Sequence, residues 1–406
     1  MLFRSQERLF KEMKSHIKED DSTVPYRFGD YWYYSRVEAG KQYPLYCRKQ
    51  KSLEAPEQVV LDVNELAKNE KFMAIGNYQP SDDGNLLAYT TDNTGYRQYK
   101  LQVKDLRTGA PGPENAERVT SVTWANDNRT IFYSTEDPTT KRSDKVFRHV
   151  IGADNTQDPV IYEEKDDAMN VGIGKTRSGA FLIMESGSLT TSEVRYLDAS
   201  TPNGAFQLIA PKVHGQEYYA DHRGDKFYIR TNRNGRTFEL AAAPVTSPGR
   251  ENWQTLVPLR NETQLEDFDL FKDFLVLSER TRGLQQLRVI DLRNGERFTG
   301  SEPLVKFPEA SYSSFAINNR TWDTNTLRYN YQSPITPPSV FDYDMVKQTS
   351  VLLKEQEVPG GFDRNNYALE RVYATARDGV KVPVTDRKST RLNSSHIQKS
   401  RMPSSA

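Results

Sequence analysis

Beyond residue 25 the chain is built of short runs in which apolar and polar positions alternate with a period of two. Side chains on a strand point to opposite faces in turn, so this alternation predicts β-strands. Seven runs are rich in aromatic and aliphatic residues: "YWYYS" at 31–35, "LLAYTT" at 86–91, "IFYST" at 131–135, "FLIME" at 181–185, "FYIRT" at 227–231, "FLVLSE" at 274–279 and "LRYNY" at 327–331. Their middle residues fall near 33, 88, 133, 183, 229, 276 and 329, a spacing of roughly 45–55. Most are preceded by a polar turn, such as "SDDGN" at 81–85 or "DHRGD" at 221–225. Most are followed by a second strand-like run, among them "YKLQVKDL" at 99–106 and "LQQLRVIDL" at 284–292, and several by a third. A unit of this length with several antiparallel strands, repeated seven times, predicts an all-β fold, a seven-bladed β-propeller. A β-sandwich or stacked barrels also use short strands. A long period sustained from 33 to 329 does not fit them.

Ahead of these runs the period changes. Phe3, Phe10 and Ile17 recur at seven, with Leu9 and Met13 beside them, among Lys and Glu. One apolar stripe of this kind predicts a helix over roughly 3–20, ended before Pro25. The stripe needs a docking surface.

Composition narrows the function classes. The 406 residues include 22 Tyr and 18 Phe, enough to fill a sizeable core, and aromatic residues favour strands. Lys+Arg and Asp+Glu both number 55, so no net charge points to nucleic acid or an anionic membrane. Cys47 is the only cysteine, so no intrachain disulfide forms and a Cys/His metal centre is not expected. The first 21 residues are charged throughout, unlike a signal peptide, and no run reaches the length of a membrane helix. A cytoplasmic protein is the expectation.

Candidate chemistry is sparse. His149 and His222 have no neighbouring Ser or Asp at a spacing that suggests a relay, and are read as structural. The acidic runs "KEDD" (18–21) and "EEKDD" (163–167) could hold a divalent cation, but contiguous acids alone set no coordination geometry, and solvated turns are the simpler reading. No cofactor or metal is expected.

Longer phrases carry a resemblance. "KEDDSTVPYR" (18–27), "GDYWYYSR" (29–36), "GKQYPLYCRK" (40–49), "DHRGDKFYIRTN" (221–232) and "YALERVYATARDGVKVPV" (367–384) resemble, in order, the oligopeptidase B branch of the prolyl oligopeptidase family of serine peptidases. The resemblance runs from about residue 4 to 384. It implies a chain that begins with a helical segment of the catalytic domain, passes through a seven-bladed propeller, and returns to an α/β-hydrolase domain bearing Ser, Asp and His. It also implies cleavage of short peptides after Lys or Arg, with the propeller screening access and no cofactor. The partners implied are the hydrolase domain itself and short basic peptides, with neither nucleic acid nor membrane. Charged propeller residues bridge to the hydrolase in this family, and Glu136 and Arg142 in "EDPTTKR" are the candidates here for such inter-domain contacts. A hairpin ion pair is the plainer alternative.

The resemblance also exposes a departure. No G-x-S-x-G nucleophile elbow occurs in the sequence, so none of the family's catalytic residues can be assigned. The chain alone is therefore expected to be inactive. The expected organisation is an incomplete helical segment of the hydrolase domain at 1–25, the propeller at 26–362, the start of a truncated hydrolase domain at 363–384, and a tail at 385–406. Residues 386–406 hold five basic residues, one acid, six Ser and no aromatic residue, a composition that predicts disorder. A stand-alone propeller serving as a binding scaffold is the alternative reading, because fold alone does not fix function.

Overall fold

A computed structural model describes residues 2–293 and 295–390. Antiparallel sheets follow one another at 26–62, 74–105, 119–163, 170–210, 218–257, 263–291 and 313–355. Within each, strands pair in chain order, so every sheet is a meander. The first strands of neighbouring sheets touch, as 74–80 does with 119–124 and 119–124 with 170–175. These are the blades of a seven-bladed β-propeller, with first strands around the axis. Each run expected from the sequence is the second strand of its blade. Blades two and six have three regular strands, and extended segments complete their edges through the bridges Lys104–Pro111 and Arg288–Leu304.

Period-two alternation builds the ring directly. In the fifth blade Phe227 and Ile229 point toward the fourth blade, while Tyr228, between them, points toward the sixth. In the sixth blade Leu275 and Leu277 face back to the fifth, and Phe274 and Val276 face the seventh. A second strand set between two apolar seams supplies both at once, which is why such runs are apolar on both faces. Burying such a side chain contributes about 1.5–3 kcal/mol. The hairpin turns use polar residues for local reasons. Asp127 accepts from the backbone N–H of Arg129 at 3.0 Å and of Thr130 at 2.8 Å, and Asn128 adopts the left-handed conformation.

Six apolar clusters fill six seams, from blades one and two through blades six and seven. The seventh seam, between the last blade and the first, has no such cluster among the described residues. Polar contacts hold it instead. Arg328 Nη1 donates to Pro25 O at 2.5 Å, Thr321 Oγ1 to Arg27 O at 3.2 Å, and Lys354 pairs with Asp21 at 2.6 Å. A cavity of about 480 Å³ remains there, lined by residues that include Thr23, Arg36, Asn330 and Gln332.

The N-terminal helix spans Leu2–Ser15, shorter than the expected 3–20. Ser15 Oγ turns back to Glu12 O at 2.7 Å, and the acids Glu19, Asp20 and Asp21 that follow would oppose the helix dipole at this end. Phe10 and Met13 are 66% and 70% exposed, so the stripe is largely uncovered, and the side chain of Phe3 lies outside the described residues. A second helix is the single turn Val63–Leu66. After the propeller, Tyr367–Thr375 and Lys381–Ser389 pair as a hairpin. That second strand runs past residue 385, where the sequence predicts a disordered tail, because Thr385–Ser389 complete the register opposite Tyr367–Arg371. The rest of that expected tail, 391–406, lies outside the described residues.

Candidate functional site

A meander places the turns between strands one and two, and between three and four, on one face of the ring. The turns between strands two and three, and the links between blades, lie on the other. The hairpin identifies the second face. Arg371 donates to Arg282 O, Thr385 Oγ1 lies 2.6 Å from Ser311 Oγ, and Arg387 Nη1 donates to Pro334 O at 3.1 Å. Arg282 and Pro334 sit in two-to-three turns, and Ser311 sits in the link between blades six and seven. Tyr96 and Leu189, 80% and 97% exposed, lie in two-to-three turns and so on the same face.

Glu136 and Arg142 also sit on this face, at the two ends of the hairpin turn of the third blade. They do not pair with each other. Glu136 lies 3.2 Å from Arg118 Nη1 and 3.6 Å from Lys141 Nζ. Arg142 Nη1 donates to Glu164 O and Met169 O, both at 3.0 Å, and its Nη2 is 3.5 Å from Asp167. Both charges are held by propeller partners. The acidic runs are similarly engaged: Asp166 pairs with Lys212 at 2.7 Å, and Glu164 accepts from Tyr162 and Ser186.

The opposite face holds the mouth of an axial channel. A cavity of about 800 Å³ is lined by Phe28, Asn77, Ser121, Gly174, Asp221 and Asn318, one residue from each of six blades, and so lies on the axis. Ion pairs cross this mouth between blades that are not neighbours. Lys175 of the fourth blade reaches Asp82 of the second at 2.5 Å, and Arg177 of the fourth reaches Asp269 of the sixth. Arg320 of the seventh donates to Gln79 Oε1 of the second at 3.1 Å. Lys175 and Arg177 sit in "KTRSGA" (175–180), by its residues one more polar turn ahead of an aromatic-rich run; their partners are about 90 residues away and left no local signal.

Inside the mouth the wall is acidic and partly bare. Gly172 and Gly174 stand on the innermost strand, where an added Cβ would meet nothing within 4 Å. Glu185 is paired in register with Gly172, so no inner side chain screens it. Burial pushes Asp221 up to about 6, against hydrogen bonds from the His222 and Arg177 N–H groups. Glu185 and Asp267 open onto the channel, and the protein wall crowded around them still raises both carboxyls and lowers Arg230. Charged side chains of both signs thus line the mouth, and the cross-ties span it between blades.

The two histidines have definite partners. His222 Nδ1 lies 2.9 Å from Ser178 Oγ and its Nε2 2.8 Å from Gly224 O, tying blades four and five. Burial lowers its pKa, which favours the neutral ring between these two partners. His149 lies between two carboxylates, Glu114 and Asp158, an assembly that the sequence spacing does not suggest.

Residues 2–356 match the family model of the prolyl oligopeptidase N-terminal beta-propeller domain. The chain belongs to the prolyl oligopeptidase family. Among curated relatives it is 39% identical to dipeptidyl aminopeptidase BI of Pseudoxanthomonas mexicana, covering 94% of this chain and 54% of that one. It is 31% identical to protease 2 of Moraxella lacunata, covering 93% and 55%. The solved structure of oligopeptidase B from Leishmania major superposes with a TM-score of 0.89 at 28% identity, covering 95% of this chain and 56% of that one. The chain thus spans about half the length of the relatives it matches, and the resemblance read from its phrases is to the right family. Among the described residues no helix is long and apolar enough to cross a membrane.

Proposed function

We propose that this chain is the propeller part of a serine endopeptidase of the oligopeptidase B type, which hydrolyses short peptides after Lys or Arg. In this reading a hydrolase domain sits on the face marked by the 367–389 hairpin and supplies the nucleophile, its His base and the oxyanion hole. The propeller's part is to screen what reaches that site. The observation that carries the reading is the two-faced ring: ion pairs between non-adjacent blades cross one mouth of the channel, and the hairpin leaves from the other face. Folded proteins are too large for such a channel. A cytoplasmic setting belongs to the reading, supported by a buried lone cysteine.

A second reading rests on the relative at 39% identity, named a dipeptidyl aminopeptidase. In that case dipeptides would be released from a free N-terminus. One experiment addresses both. The chain alone is given a blocked Arg reporter peptide and a dipeptide reporter with a free amine, and neither is expected to turn over. Fused through residue 384 to the C-terminal part of the Moraxella relative, it is expected to cleave the blocked Arg reporter. Preference of the folded fusion for the free-amine reporter would favour the second reading. Turnover by the chain alone, abolished by a serine-directed reagent, would overturn the assignment of this chain as a screening part.

A further inference from the structure

A buried charge cluster spans the seam between blades two and three. Glu114 lies on the extended segment that completes the edge of the second blade, where Leu101 N–H donates to Ala116 O at 2.7 Å. His149 is near the end of the third strand of the next blade, Ser143–Val150, and Asp158 lies in the loop just after it. The side chains of His149 and Glu114 are 0% exposed, and that of Asp158 is 5% exposed. His149 Nδ1 is 2.8 Å from Asp158 Oδ1, and His149 Nε2 is 3.6 Å from Glu114 Oε1. Asp158 Oδ2 also accepts from Tyr133 OH at 2.8 Å and Asn155 Nδ2 at 3.1 Å. Glu114 Oε1 accepts from Gly152 N–H at 2.8 Å. Glu114 Oε2 and His149 Nε2 have no hydrogen-bond partner, although both are buried.

The geometry restricts the protonation state. A neutral imidazole carries one N–H and one lone pair. With the proton on Nδ1, the Nε2 lone pair faces the Glu114 carboxylate; with the proton on Nε2, the Nδ1 lone pair faces Asp158 at 2.8 Å. Only the imidazolium offers a donor to both acids. The groups against the ring are Glu114, from the second blade, and Asp158 and Asn155, from the third, with Asn155 Nδ2 3.1 Å from Nδ1; Tyr133 reaches Asp158, and among the described residues no cation touches the ring.

We propose that the Glu114–His149–Asp158 triad is a proton-controlled clamp on the seam between blades two and three. Charged, His149 ties the edge of one blade to the loop of the next. Deprotonated, it leaves two buried carboxylates facing a lone pair, and the seam loosens. Burial works against a charged ring, yet the hydrogen bond to Asp158 and the charge of Glu114 beside the ring outweigh it and raise the His149 pKa above its ordinary value. The sign follows from linkage. The clamp is fully present below the ordinary imidazole value and is lost as pH rises through the raised one. Glu114 is held below its ordinary value despite burial, chiefly by His149 and the Gly152 N–H, so its contribution is lost only in acid.

Hydrogen–deuterium exchange tests this on the whole chain. Segments 110–118 and 150–159 are compared at pH 6 and pH 9.5 with segments of the seam between blades five and six, which holds no such triad among the described residues. After correction for intrinsic rates, the two segments are expected to exchange several-fold faster at pH 9.5 in the native chain. In His149→Gln they are expected to be fast at both. Equal relative protection at both pH values in the native chain would overturn the clamp. If His149→Gln does not fold, nitrogen NMR of the native chain decides: both ring nitrogens of His149 are expected to be protonated at pH 7, and a neutral ring there refutes the proposal.

Discussion

Asp221 sits where its charge is poorly tolerated. Burial drives its folded value to about 6, against 3.8 ordinarily. Above pH 6 the folded state carries a disfavoured carboxylate. As pH falls through 6 the folded state takes up a proton that the unfolded chain does not bind until lower pH, so this position gains stability on mild acidification. Asp221→Asn keeps an oxygen for the His222 and Arg177 N–H groups and removes the charge. It is expected to raise the urea midpoint at pH 7.5, with the gain vanishing by pH 4; an unchanged midpoint at pH 7.5 would show that channel water solvates the acid. Neither this conflict nor the His149 triad was legible in the sequence. Glu114 and His149 are 35 positions apart, and only the packing of one blade edge on the next blade brings them together.

Strands were the most legible elements, for a physical reason. A strand buried on both faces must be apolar at consecutive positions, so "FLVL" and "FYI" stood out wherever a blade sat between two others. The seams are not equivalent, and this the sequence hid. Phe227 is fully buried in an apolar seam, whereas Lys354 joins the last blade to the first through an ion pair that is part exposed. Phe227→Ala is expected to cost about 3–5 kcal/mol. Lys354→Ala is expected to cost under about 1 kcal/mol. Urea unfolding of both variants checks the contrast, and comparable losses would mean that the seventh seam is as strong as the rest. The helix was legible in type but not in length, since its stripe continued past the point where acids and Ser15 end it.

For the whole molecule, several apolar surfaces remain uncovered. Phe10 and Met13 on the helix, Val351 on the outer strand of the last blade, and Val372 and Val382 on the hairpin are all exposed. Exposed apolar patches of this kind drive association. The chain is expected to self-associate as concentration rises in sedimentation velocity, and Phe10→Glu combined with Val372→Lys is expected to reduce it. A monomer at high concentration in the unaltered chain would count against these surfaces being sticky. The sequence by itself determined the repeat, the blade count and the family, because alternation and turn residues are local and each blade restates them. It also determined that no nucleophile elbow lies in these 406 residues. Only the tertiary structure decided which charges meet. The cross-channel pairs of Lys175 and Arg177, the polar seventh seam and the His149 triad join residues from different blades, and closing the ring, not any local pattern, sets their distances.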